Sequence, residues 1–144
     1  MIYTGIDLIE IARIERAVAR WGERFLRRVY SPAELAAYRE RLPSLAARWA
    51  AKEATAKLLG IGLRGLGGAA GKPGEAAAWA EIELLSDTAG RPQLRLHGRA
   101  KAAAHALGLR EIAVSLSHTH EHAIASVVGL SDQLPNTQAE RFYY

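Results

Sequence analysis

Two acids stand where an isolated charge is costly to bury: Asp7, between Ile6 and Leu8, and Glu53, inside Ala50-Ala51-Lys52-Glu53-Ala54. A pair of carboxylates from separated elements suits a hard cation, because magnesium is commonly held by one or two carboxylates, with water and substrate phosphates completing its shell. Lys52 and Lys57 add positive charge beside Glu53, and a cation there could hold a phosphate from the other side. Ser115, Ser117, His118 and Thr119 crowd hydroxyls and an imidazole into one short stretch, a donor set suited to phosphate oxygens. Each group also has a plainer explanation. Glu53 and Lys57 are spaced for a helix-surface ion pair worth ~0.3–0.5 kcal/mol. Asp7 could cap a helix that begins just after it, the lysines could be solvated, and the serine run fits a hydrophilic strand edge or turn. His118, His120 and His122 alternate, a spacing that spreads the rings along a turn with no cysteine nearby, which disfavours zinc.

The elements that must position these residues follow from periodicity. Ile2 to Ile9 is an apolar run with β-branched members and reads as a buried strand carrying one acid. Beyond it, Ile11, Ile14, Val18 and Trp21 recur at helical steps, predicting an amphipathic helix that ends near Gly22 with Trp21 in the core and Arg13, Arg16 and Arg20 on another face. Ser31-Pro32-Ala33-Glu34 combines an N-cap serine, a proline in the first turn and a capping-box glutamate, and Pro43 is expected to stop the helix they start. A third helix is expected from about Ser44, through Trp49, to Leu59, with Gly60 at its C-terminal end. The glycine-rich stretch from Gly60 to Gly74 reads as a mobile loop. Trp79 to Leu85 and Gln93 to Leu96 pair as a hairpin around an Asp87-to-Pro92 turn, and Gly98 to Leu107 is helical. Ile112, Val114 and Leu116 put one apolar face on a strand that a short His118-to-Glu121 connection joins, antiparallel, to a last strand ending near Gly129. Residues 1–130 therefore form one domain, followed by a polar tail over 131–144 that packs loosely if at all. Hairpins interspersed with helices, without regular βαβ alternation, predict the α+β class with an antiparallel sheet and packed helices.

Composition narrows the function classes. The chain has 144 residues, of which 49% are hydrophobic, enough for one domain with its own core. No run approaches the roughly 20 apolar residues needed to cross a bilayer, and the first residues lack the pattern of a secretion signal, so a cytoplasmic location with no membrane partner is expected. With no cysteine, disulfides, thiolate chemistry and Cys-based zinc sites are excluded. A net charge of +4 points to an anionic partner without choosing among nucleic acid, acidic protein, membrane or phosphorylated ligand. Neither G-x-x-x-x-G-K-[ST] nor G-x-S-x-G occurs. Aromatic residues are only 7% and no RNP-like or KH-like motif is present, which argues against a nucleic-acid-binding module, the rival from another class.

Three segments carry a family resemblance. Gly5-Ile6-Asp7-Leu8-Ile9-Glu10 with Arg13-Ile14, Arg48-Trp49-Ala50-Ala51-Lys52-Glu53-Ala54 with Lys57, and Val114-Ser115-Leu116-Ser117-His118-Thr119 together resemble the holo-acyl-carrier-protein synthase family. The likeness spans roughly Ile2 to Gly129. It implies a 4'-phosphopantetheinyl transferase-like fold and transfer of the phosphopantetheine arm of coenzyme A to an acyl carrier protein serine, releasing adenosine 3',5'-bisphosphate. It further implies Asp7 and Glu53 as magnesium ligands and Lys57 as a coenzyme A phosphate contact and catalytic cation. Ser115, Ser117 and His118, read above as phosphate donors, are then expected contacts of the substrate coenzyme A. The resemblance leaves Glu53 as first candidate for the base and His118 as second. Arg13 lies where the family meets its acidic carrier, and Arg16 and Arg20 extend that docking face. Family members usually form homotrimers with sites shared between subunits. This chain departs from many members in having Ala113, not histidine, before the late Val-Ser, and from some in having Trp49 in place of phenylalanine. The same chemistry on a polyketide or peptide synthase carrier domain is the nearest alternative.

Overall fold

Alternation of environment along Ile2–Glu10 makes β1 a strand with two different faces. The computed structural model describes residues 1–63 and 77–132. After β1 come the helices α1 (Ile11–Trp21), α2 (Glu23–Val29), α3 (Pro32–Tyr38) and α4 (Leu42–Leu59). A 3-10 turn at Trp79–Glu81 leads to strands β2 (Ile82–Ser86) and β3 (Pro92–Leu96), helix α5 (Gly98–Ala106), and strands β4 (Leu109–His118) and β5 (His122–Ser131). β1, β5 and β4 form an antiparallel sheet in that order, and β2 and β3 form a separate antiparallel hairpin. The class is α+β, as expected.

Helix α4 is the centre of the molecule. It buries residues all round, from Leu45 to Leu59, and its many alanines let it lie close to β1 and β5 on one side and the β2 hairpin on another. A close approach occurs at Gly5, where an added Cβ would overlap the Ala54 carbonyl oxygen and come within 2.9 Å of its carbon. Glycine inside an apolar strand run marks such a contact between backbones.

Several local signals are realised. Ser31 and Glu34 form a reciprocal capping box at the start of α3. Gly60 ends α4 in the left-handed conformation at φ 66°. The β2–β3 and β4–β5 pairings, the latter with Val114, Leu116 and Ile112 turned inward, match expectation. The expected loop from Gly60 to Gly74 lies mostly outside the described residues, as does the tail beyond residue 132. Gly60-x-Gly62-x-x-Gly65 has the glycine spacing of a dinucleotide-binding turn, but it follows helix α4 where that motif requires a strand.

Other expectations are corrected. β1 is not buried on both faces: Tyr3, Gly5, Asp7 and Ile9 turn toward α4, while Ile2, Ile6 and Leu8 on the other face are 67%, 59% and 60% exposed. Trp21 is 50% exposed and not in the core. The chain turns at Gly22, and the unforeseen helix α2 brings Phe25, Leu26 and Val29 inward in its place. Pro43 does not stop α3, which ends at Tyr38. It stands in the first turn of α4, where a missing N–H costs nothing. The segment expected as a strand from Trp79 begins as a 3-10 turn. Among the described residues, no helix is long and apolar enough to cross a membrane.

Candidate functional site

The covered face of β1 carries Asp7 beside α4, and the Gly5 approach two residues earlier sets how closely the two elements meet. Lys57, near the C-terminal end of α4, donates to Asp7 Oδ1 at 2.7 Å and to the Ile6 carbonyl at 3.0 Å. Its side chain remains 54% exposed while that of Asp7 is 16% exposed. Glu53, one turn back along α4, is half-buried. Burial raises its pKa above the usual carboxylate range and the negative charge of Asp7 adds to this, while Lys57 and Arg13 pull the other way. Thus β1, α1 and α4 bring Asp7, Arg13, Glu53 and Lys57 into one electrostatically coupled cluster.

The plainer explanations of these residues do not hold. Lys57 pairs with Asp7, not with Glu53, and Asp7 caps nothing: the N-cap position of α1 is Glu10, which makes no side-chain cap bond. Lys52 is also reassigned. It is fully buried and bonds Glu34 Oε2 at 2.9 Å, the Trp79 carbonyl at 3.2 Å and the Ile82 carbonyl, so it is closed to any phosphate. Its neighbours on the helix surface differ because successive residues point about 100° apart.

Two carboxylates from different elements, one half-buried and coupled to the other, form an oxygen donor set fit for a magnesium ion. Among the described residues, no three His, Cys, Asp or Glu side chains form a protein-only metal cage. Magnesium sites seldom need one.

The late-strand residues lie elsewhere. In register, Asp7 faces Ala125 on β5, which faces Leu116 on β4, so β5 separates Asp7 from β4. Ser115 and Ser117 alternate with the inward Leu116 and point to the opposite face of the sheet. Within one chain they do not join Asp7 and Glu53. His118, exposed at the end of β4, has Nδ1 3.4 Å from the Thr119 carbonyl. The Val114–Leu116 stretch of β4 borders a cleft of about 360 Å³ with Tyr38, Arg41, Ser44 and Arg48, walled by the β2–β3 hairpin. Arg48 was not singled out by sequence reasoning. It donates to the Leu84 carbonyl at 3.2 Å and the Ser44 carbonyl at 3.1 Å, with its guanidinium over the Tyr38 ring at 3.2 Å. Its one-turn offset from Lys52 on α4 was the available signal. Arg13, Arg16 and Arg20 are exposed along α1, and none forms an ion pair with a described residue.

Known proteins are similar to this chain in sequence and fold. The Herpetosiphon aurantiacus protein named holo-[acyl-carrier-protein] synthase is 57% identical over 130 residues, covering 90% of this chain and 99% of that one. Its namesake from Chloroflexus aurantiacus is 55% identical over 133 residues, covering 89% and 97%. Among solved structures, Helicobacter pylori holo-[acyl-carrier-protein] synthase in complex with coenzyme A superposes with a TM-score of 0.72 at 30% identity, over 88% of this chain and 99% of that one. The segment from residue 3 to residue 127, which contains the whole Asp7–Glu53–Lys57 cluster, all of β4 and the first part of β5, matches one family model, and on that match the chain belongs to the 4'-phosphopantetheinyl transferase superfamily.

Proposed function

We propose that this chain transfers the 4'-phosphopantetheine group of coenzyme A to the serine of an apo-acyl carrier protein, yielding the holo form and adenosine 3',5'-bisphosphate, in the cytoplasm and for fatty acid biosynthesis. The observation that carries this reading is the Asp7–Glu53–Lys57 cluster: two coupled carboxylates and a half-exposed ammonium drawn from elements far apart in sequence. Names shared with relatives above half identity agree with it.

Asp7 and Glu53 are the residues that would hold magnesium. When bound, the ion supplies positive charge to the pyrophosphate of coenzyme A. Lys57 is exposed enough to leave Asp7 and hold phosphate oxygens, stabilising negative charge as it moves to the leaving group. The carrier serine oxygen bonds to the β-phosphorus, the bond from that phosphorus to the bridging oxygen breaks, and the serine proton needs an acceptor. The carboxylate of Glu53, half-buried one turn from Lys57 on α4, is the first candidate for that acceptor, directly or through a water, with exposed His118 as the second. Positioning and electrostatics therefore carry most of the rate.

Ser115, Ser117 and His118 fit the phosphates of coenzyme A if they come from a neighbouring subunit, since β5 keeps them from Asp7 in their own chain. The exposed apolar face of Ile2, Ile6, Leu8 and Val128 supports assembly, and a homotrimer with shared sites is the form proposed. Residues 1–130 would be the catalytic domain, with 131–144 as a tail, and the stripe Arg13, Arg16 and Arg20 would dock the acidic carrier.

The test is mass spectrometry of candidate apo-carriers incubated with coenzyme A, with and without magnesium. A mass gain of one phosphopantetheine on the fatty-acid carrier is expected. Faster modification of a polyketide or peptide synthase carrier domain would move the substrate assignment, and salt-sensitive RNA binding without any transfer would overturn it. Mixing inactive Glu53→Ala protein with an inactive His118→Ala protein should restore activity through hybrid interfaces. No recovery after proven subunit exchange would leave each site within one chain.

A further inference from the structure

Three tryptophans occupy two environments. Trp49 and Trp79 are 6% and 1% exposed, with ring centroids 4.1 Å apart and Phe25 stacked 5.9 Å from Trp49. Trp21, the last residue of α1, is 50% exposed. Its helical spacing from Ile14 and Val18 would have led it inward, but Gly22 turns the chain at φ 53° and Phe25 fills the interior instead. The indole is held at the surface, with the Arg20 guanidinium 4.8 Å from its centroid.

The setting of this indole is basic. Arg16, Arg20, Arg24 and Arg28 are exposed on α1 and α2, and none pairs with an acid among the described residues, whereas Arg27 and Arg39 are taken by Glu23. Tryptophan and arginine are the residues most enriched at the energetic centres of protein interfaces, where an aromatic fills a pocket within a charged rim. We infer that Trp21 is the apolar anchor of a docking surface on α1 and α2 for a small acidic protein that offers an apolar recess bordered by carboxylates. The inference rests on the transferase reading, in which that partner is the carrier protein, and adds a residue that the arginine stripe alone does not supply.

Charge complementarity selects this occupant over others. A second copy of the chain would bring the same arginines against themselves at a self-complementary contact. The apolar surface suited to copies lies on the other face of the sheet, at Ile6, Leu8 and Val128, whereas α1 packs on the α4 side. Single-stranded nucleic acid is bound by successive aromatic platforms, and Trp21 is the one aromatic among the exposed large apolar side chains described.

Because the other two tryptophans are buried, Trp21 reports on its own surface. The experiment titrates wild-type protein and Trp21→Phe with a tryptophan-free apo-carrier, following emission wavelength and acrylamide quenching. Saturating carrier should shift wild-type emission to the blue and protect it from acrylamide, and the Trp21→Phe protein should show neither change. Trp21→Ala, its fold checked by thermal melting, should raise the KM for carrier by about tenfold or more and hold that loss at high salt, with the KM for coenzyme A within about twofold. Full activity of wild type together with an unchanged carrier KM in Trp21→Ala would overturn the anchor while leaving the transferase reading intact. Protection of Trp21 before carrier is added, or protection by single-stranded RNA in place of carrier, would assign the surface to another occupant. Absence of transfer by wild type to any carrier would overturn both.

Discussion

Lys52 and Lys57 stand little more than a turn apart on α4, and each binds a carboxylate from another element, yet the two regions are opposites. At Lys52 both side chains are fully buried and every group is matched. Glu34 also accepts from the Ser31 amide at 2.8 Å and the Leu84 amide at 2.9 Å, while Lys52 reaches two backbone carbonyls. Burial lowers the pKa of Lys52, and Glu34 opposes that fall. This network ties α3, α4 and the β2 hairpin together. At Lys57 the pair is short but half open, so its ammonium can be taken up by a ligand. A charge pair sealed from water is held by the cost of breaking it, and an open one is available for exchange.

Breaking the sealed pair should have the largest effect. Lys52→Ala or Glu34→Ala is expected to cost about 3–5 kcal/mol in urea unfolding, since each leaves an unpaired buried charge. The double replacement Glu34→Leu with Lys52→Met should recover part of that loss, and no recovery would mean that the hydrogen bonds to Ser31, Leu84 and Trp79 dominate. Removing the open cluster should act on chemistry instead. Asp7→Ala and Glu53→Ala should each lower turnover by ~10²–10³-fold while the unfolding midpoint stays near wild type, as expected where charge stabilisation is lost in the transition state. Near-normal turnover would remove the assigned ligand. Lys57→Met is a finer cut. It should lower turnover about tenfold and change stability by no more than ~1 kcal/mol, because an exposed pair contributes little to folding. Arg13→Glu and Arg20→Glu should have the smallest effect, raising the KM for carrier a few-fold and flattening its dependence on ionic strength, with little change for coenzyme A. Equal effects on both substrates would sink the docking role.

What could be read before folding is confined to short range. Ser31, Pro32 and Glu34 announce the start of α3 because a cap satisfies amides within the next turn, and Gly60 ends α4 because only glycine takes its left-handed conformation at no steric cost. The β4–β5 pair follows from alternation and a short connection. The chemistry was visible only in part: spacing showed Asp7 and Glu53 as costly acids, and the resemblance, not spacing, joined them to Lys57. Partners were chosen by contacts that no local rule reaches. Lys57 takes Asp7, 50 residues away, in preference to Glu53 one turn away. Lys52 is sealed because α3 and the hairpin close over it, Trp21 is left outside because α2 fills the space it would have used, and β1 turns Asp7 inward because only its Gly5 face can approach α4. Periodicity states that a residue has a face, and the packing of distant elements decides what that face meets.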